Sequence, residues 1–312
     1  MRSILPLLMV CASTAQADVR VVTDIAPVHS LVAQVMQGVG VPDVLVTGAA
    51  SPHDFQFNFN QADAVQEADL IVWVGAGLTP WLEEALETLA PDAPQLELLE
   101  TEGWPALDLR DEDDFASYFE GDHDHDHGHD HDHGHDHGAA VDPHAWLDPQ
   151  VAIVWTGQIA SALSAVDPEN SSRYLANAEA AMDDLRALEG EIAAMLDIPA
   201  RPYIVPHDAY QYFEVRFGHP ATAAIALSDA SAPTPDQIER LQATVADLEV
   251  VCVLTDPQAR AAWSDLVAQG SASQNGVRSV VLDPLGGTIA LGPDHYRATM
   301  LGIAASYVAC LG

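Results

Sequence analysis

The stretch DPENSSRYLANAEAAMDDLRALEGEIAAMLDIP, residues 167–199, decides how the rest of the chain is read. Asp167-Pro168 offers a helix-capping residue followed by proline at the first helical position. Leu175, Ala178, Met182, Leu185, Leu188, Ile192 and Met195 then recur every three or four residues, which predicts one apolar stripe on a single helix. Asp197-Ile198-Pro199 ends it. At 1.5 Å per residue such a helix is roughly 40 Å long, enough to run down the side of two packed lobes. A helix of that length is a stiff joint, so little hinge bending is expected.

On both sides of this helix the pattern alternates. Apolar runs at Val19 to Thr23, Val44 to Val46 and Leu70 to Val74 read as buried strands, each followed by helical spacing. The alternation resumes at Tyr203 to Val205, Val250 to Leu254 and Ser279 to Leu282. Strands alternating with helices predict an α/β protein of two doubly wound parallel-sheet lobes joined by the long helix. The expected division is a signal peptide over 1–17, a first lobe over 18–166, the joining helix over 167–198 and a second lobe over 199–312.

The signal is read from a charged start (Met1-Arg2), an apolar run from Ile4 to Ala12 too short to span a bilayer, and the small-x-small site Ala15-Gln16-Ala17. Cleavage after Ala17 would deliver the chain to the periplasm. The formal net charge is −36, with no lysine anywhere. Such a field repels phosphate backbones and excludes nucleic acid as a partner, while drawing cations without choosing among them. Cys252 and Cys310 remain after processing, and in an oxidising compartment the pair is expected to form a disulfide.

Fourteen histidines carry the chemistry. Eight of them, His123, His125, His127, His129, His131, His133, His135 and His137, fall in a run of only His, Asp and Gly from Asp122 to His137. With nothing apolar to bury, this run is expected to be a mobile, solvated loop. Any site it makes must first order a floppy segment, so its zinc sites should be weak and accessory. Among the other six, His53, His144 and His207 stand in loops or turns beside proline. His53 follows the strand ending at Val46, His144 opens a helix, and His207 follows the strand ending at Val205. Asp283, directly after another strand and also followed by proline, is a fourth candidate. In open α/β sheets ligands bind beyond the carboxyl ends of strands, so these positions can converge. Imidazole is the commonest zinc ligand, and three or four fixed donors make a site.

The segments at 48–55, Ala68 to Gly75, Asp142-Pro-His-Ala-Trp-Leu-Asp-Pro149, His207-Asp-Ala-Tyr-Gln-Tyr-Phe213 and Leu282-Asp-Pro-Leu-Gly-Gly287 occur in this order along the mature chain. The ordered set resembles the zinc solute-binding proteins of ABC importers, whose lobes are joined by one rigid helix. The resemblance implies Zn2+ held between the lobes by His53, His144 and His207, with Asp283 or water in the fourth position. It also implies an ABC permease as partner and a monomer as the working form. A third imidazole at 207, where manganese-specific relatives carry glutamate, favours zinc over the harder Mn2+. The Phe55-Gln-Phe-Asn-Phe-Asn60 segment departs from the pattern and puts the local loop geometry in question. His29 matches the pattern near the first strand, whereas His219 and His295 are read as structural or surface residues. No HExxH pairing is present, so the expectation is a binding protein and not an enzyme. The alternatives are a periplasmic zinc buffer or chaperone and, further off, a zinc hydrolase.

Overall fold

Four-residue to five-residue runs of valine, isoleucine and leucine become strands here because helices cover both faces of each sheet. In a computed structural model, the described residues are 19–110, 115, 140–226, 232–258, 261–269 and 276–312. The signal segment with its cleavage point and the 122–137 run lie outside them. In the first lobe, β1 (Val21–Ile25), β2 (Asp43–Val46), β3 (Leu70–Trp73) and β4 (Gln95–Glu97) form a parallel sheet in the order β2-β1-β3-β4. In the second, β5 (Tyr203–His207), β6 (Ala223–Ala226), β7 (Cys252–Thr255) and β8 (Arg278–Val281) repeat that plan as β6-β5-β7-β8. The central strands β1, β3, β5 and β7 are buried along their whole length.

All six expected strands are present, within two residues of their predicted ends. Two more, β4 and β6, were not foreseen. Both are edge strands, one with polar residues at its ends and the other mostly alanine, so neither carries the β-branched signal of a central strand.

Helices α1 (Ala26–Val35), α2 (Phe59–Gln66) and α3 (Pro80–Leu89) belong to the first lobe. The start of α2 is fixed by a reciprocal capping box between Asn58 and Gln61. After the 3-10 turn Ala145–Leu147, α4 (Pro149–Val166) packs along α5 (Ser171–Met195), the predicted long helix. A 3-10 turn at Pro168–Asn170 precedes α5, whose 25 residues span roughly 37 Å. The buried stripe is Tyr174, Ala178, Ala181, Leu185, Leu188 and Ile192. Leu175, expected on that stripe, is 54% exposed. Tyr174, four residues before Ala178, takes the inward position instead, and its hydroxyl donates to Asp167 Oδ2 at 2.7 Å.

The second lobe holds α6 (Gln211–Phe217), α7 (Pro235–Asp247), α8 (Ala261–Ala268) and α9 (His295–Leu311). The long helix is not the only joint between the lobes. The start of α9 lies on α1, where Ser30 Oγ donates to Pro293 O and accepts from Tyr296 N, each at 2.9 Å. Arg216 on α6 grips Asp148, the N-cap of α4, through two bonds of 2.7 Å. One buried cluster runs through both lobes, from Val21 and Val72 through Trp155 and Leu188 to Tyr203, Leu254 and Tyr307. The expected disulfide is present. Cys252 and Cys310, with Cα atoms 5.5 Å apart, tie α9 to β7 across a separation of 58 residues. Closing a loop of that size stabilises the fold by about 4 kcal/mol on the chain-entropy estimate. Among the described residues, no helix is long and apolar enough to cross a membrane.

Candidate metal centre

His207 is the last residue of β5, so the ladder to β6 fixes its backbone (His207 pairs with Ala226) and the strand aims it at the seam between the lobes. His144 stands at the start of the 3-10 turn before α4. Asp142 holds it twice, accepting from its backbone N at 3.0 Å and from its Nδ1 at 2.7 Å. A carboxylate only accepts, so His144 carries its proton on Nδ1 and turns a bare Nε2 outward. His53 comes from the loop between β2 and α2, with its backbone N on Ser51 Oγ. Its neighbour Pro52 is anchored through the carbonyl, which accepts from Trp81 Nε1 at 2.7 Å.

The three imidazoles meet. The Nε2 atoms of His53 and His144 are 3.4 Å apart, and the ring centres of His144 and His207 are 5.7 Å apart. Two nitrogens on one tetrahedral Zn2+ are separated by about 3.3 Å, given Zn–N distances of about 2.0–2.1 Å. Beside the rings is a cavity of about 10 Å³, lined by His53, His144, His207, Trp146, Gln258, Pro52, Pro284 and Leu285. That is room for a single small occupant. As the side chains stand, no three His, Cys, Asp or Glu donors among the described residues already surround one point.

The electrostatics suit a cation ligand. Burial pushes the protonation of His207 well below the ordinary range, and His144 and His53 push it further. His207 Nδ1 is buried without a hydrogen bond and lies 3.4 Å from Asp256 Oδ2. A proton on Nδ1 turned toward Asp256 leaves Nε2 as the bare nitrogen of this buried ring. Asp283 is placed differently. Its Oδ1 accepts from the backbone N of Leu285 and Gly286, and its Oδ2 from Gly287, at 2.8–3.1 Å. It organises the loop whose Pro284 and Leu285 line the cavity, and Trp146 Nε1 donates to Pro284 O at 3.1 Å.

Other histidines are engaged in packing. His29 Nε2 meets Pro42 O, His219 Nε2 meets Leu196 O and His295 Nε2 meets Gly286 O, at 3.0–3.1 Å. Trp146 lies under the site with its ring 5.4 Å from His144, and Trp73 is core.

Several contributors escape a reading of sequence alone. Asp142 was inside a quoted motif without a role. Asp256-Pro257 repeats the strand-end, proline-flanked context that singled out Asp283-Pro284, so the same signal could have found it. Arg110 gave no local signal. It is buried, donates from Nε to both oxygens of Asp208 (3.1 and 3.2 Å) and from Nη1 to Glu214 at 2.7 Å, and sits 4.3 Å from the Phe115 ring. Asp208 follows His207 directly, so this clamp ties the segment leading into the His/Asp run to the base of a candidate ligand.

The periplasmic zinc binding protein TroA from Treponema pallidum has the same fold, with a TM-score of 0.78 at 18% identity, over 95% of this chain and all of that one. A crystal structure of ZnuA gives 0.75 at 21% identity with the same shares. The high-affinity zinc uptake system protein ZnuA of Brucella abortus (strain 2308) is 36% identical over 315 residues, covering 93% of this chain and 91% of the relative. Its counterpart in Paracoccus denitrificans (strain Pd 1222) is 36% identical over 320 residues, covering 96% and 94%. The family described as "Zinc-uptake complex component A periplasmic" matches residues 21–310, and this chain therefore belongs to the ZnuA family.

Proposed function

We propose that the protein captures Zn2+ in the periplasm with His53, His144 and His207 and delivers it to the membrane permease of an ABC importer. The observation that carries this reading is the meeting of three imidazoles, drawn from both lobes, on one cavity sized for a single ion. Zinc is the cargo. His144 is presented ready-made, because Asp142 fixes its tautomer and ring orientation. His207 is kept neutral by burial and supplies the third imidazole. An oxygen donor closes the fourth position, for which Asp283 and water are the first candidates. Three imidazoles favour zinc over harder cations.

The chain has no HExxH pairing, which counts against a zinc hydrolase. The His/Asp run serves as an accessory, weaker collector of zinc. The chain acts as a monomer released by cleavage after Ala17. A buffer without an importer would support growth on scarce zinc even in a strain lacking the permease, and the proposed role would not.

The test is a chelator-competition zinc titration of the wild type, a 122–137 deletion and His53→Ala. One tight ion is expected in the first two proteins, with the weak ions lost on deletion and the tight ion lost in His53→Ala. Survival of the tight ion in His53→Ala would end this reading. Neutral imidazole is required for binding, so affinity falls as pH drops below about 6.5. His207, whose proton is held off by burial, delays its own share of that loss.

A further inference from the structure

One polar group in the cavity wall is not absorbed by the three histidines. Gln258 lines the cavity, and its Oε1 is buried with no hydrogen-bond partner. Its backbone is fixed where β7 ends, since Asp256 Oδ1 accepts from Gln258 N at 2.7 Å. Its amide nitrogen faces Asp283 Oδ1 at 3.5 Å. An amide nitrogen donates and a carboxylate accepts, so this pairing sets which way round the amide stands and leaves the oxygen free. A buried carbonyl oxygen without a donor is unfavourable unless something electropositive comes to it.

Asp283 is poorly placed to be that oxygen donor itself. Three backbone N–H groups already occupy most of the roughly four acceptor sites of a carboxylate. Reaching the metal would mean giving up bonds that shape the 284–287 loop. The tightness of that loop shows at Gly287, where a Cβ would meet Gly48 O of the other lobe at 2.3 Å.

We infer that Gln258 Oε1, with Asp283 as its positioning residue, is the oxygen donor that completes the three-histidine site. This rests on the three-histidine reading above. A neutral amide in place of a carboxylate leaves the site with its full cation charge. The imidazoles then decide the selectivity, and Mn2+, which prefers an all-oxygen shell, is disfavoured.

The test uses the full mature chain loaded with one equivalent of Co2+ as a spectroscopic probe, together with zinc affinity by chelator competition. Gln258→Leu removes the oxygen, and we expect a changed visible cobalt spectrum and zinc affinity lower by about tenfold or more. Gln258→Glu supplies a charged oxygen and should raise Mn2+ affinity more than zinc affinity. An unchanged cobalt spectrum in Gln258→Leu, with zinc affinity within about twofold of wild type, overturns the inference. Should Gln258→Leu fail to fold, an unaltered preference for zinc over Mn2+ in Gln258→Glu overturns it equally. Failure of the three-histidine reading is seen separately, as retention of the tight ion in His53→Ala.

Discussion

His53 and His207 line the same cavity but are held by opposite means. His207 belongs to a strand, is buried, and has its backbone locked into a parallel ladder with β6. His53 belongs to a half-buried loop beyond β2, held by its neighbour's carbonyl on Trp81, around which Phe55 and Phe57 pack at 5.0–5.2 Å. One lobe presents a fixed donor; the other presents a donor on a segment that can shift without disturbing a sheet. With the lobes joined by α5, by α9 on α1 and by the Arg216–Asp148 pair, rigid hinge opening is a poor route for the ion. Local movement of the His53 loop is the cheaper one.

That contrast can be broken first on the His207 side. Arg110→Met leaves Asp208 and Glu214 buried without their cation. Burial already pushes both carboxyls up, against the pull of Arg110. Removing one partner of such a cluster costs about 3–5 kcal/mol, which denaturant unfolding of the zinc-free protein will show. A loss below about 1 kcal/mol would mean that the clamp is not what secures this side.

A smaller change sharpens the His53 side. Trp81→Phe keeps the ring against Phe55 and Phe57 but deletes the bond to Pro52 O. One hydrogen bond contributes about 1 kcal/mol, so zinc should dissociate up to about fivefold faster, with stability to unfolding lowered by no more than about 1 kcal/mol. An unchanged dissociation rate, measured by transfer of zinc to a chromophoric chelator, would show that this loop is not the mobile side.

The difference between fixed and adjustable parts also explains what could be read in advance. Central strands such as Leu70 to Trp73 are legible because burial on both faces demands an unbroken apolar run. Edge strands such as Gln95–Glu97 make no such demand. The long helix was legible from its period, but an aliphatic stripe starts it at Leu175, whereas Tyr174, four residues before Ala178, is the buried position in phase. That His53, His144 and His207 line one cavity was legible from strand-end and helix-entrance contexts and from ordered motifs. Their supports were less so, because Arg110 and Asp208, or Trp81 and Pro52, are brought together only by the fold. The Phe55 to Phe59 segment, an anomaly in sequence, is in part the packing around Trp81, with Phe59 itself left 92% exposed.

The central claim is that three imidazoles from two lobes hold the zinc. Zinc-edge X-ray absorption on the 122–137 deletion protein loaded with one equivalent of Zn2+ tests it directly, since no histidine of the run remains to contribute. The account predicts three imidazole nitrogens at about 2.0–2.1 Å and one oxygen donor. A shell with fewer than three imidazoles would contradict it.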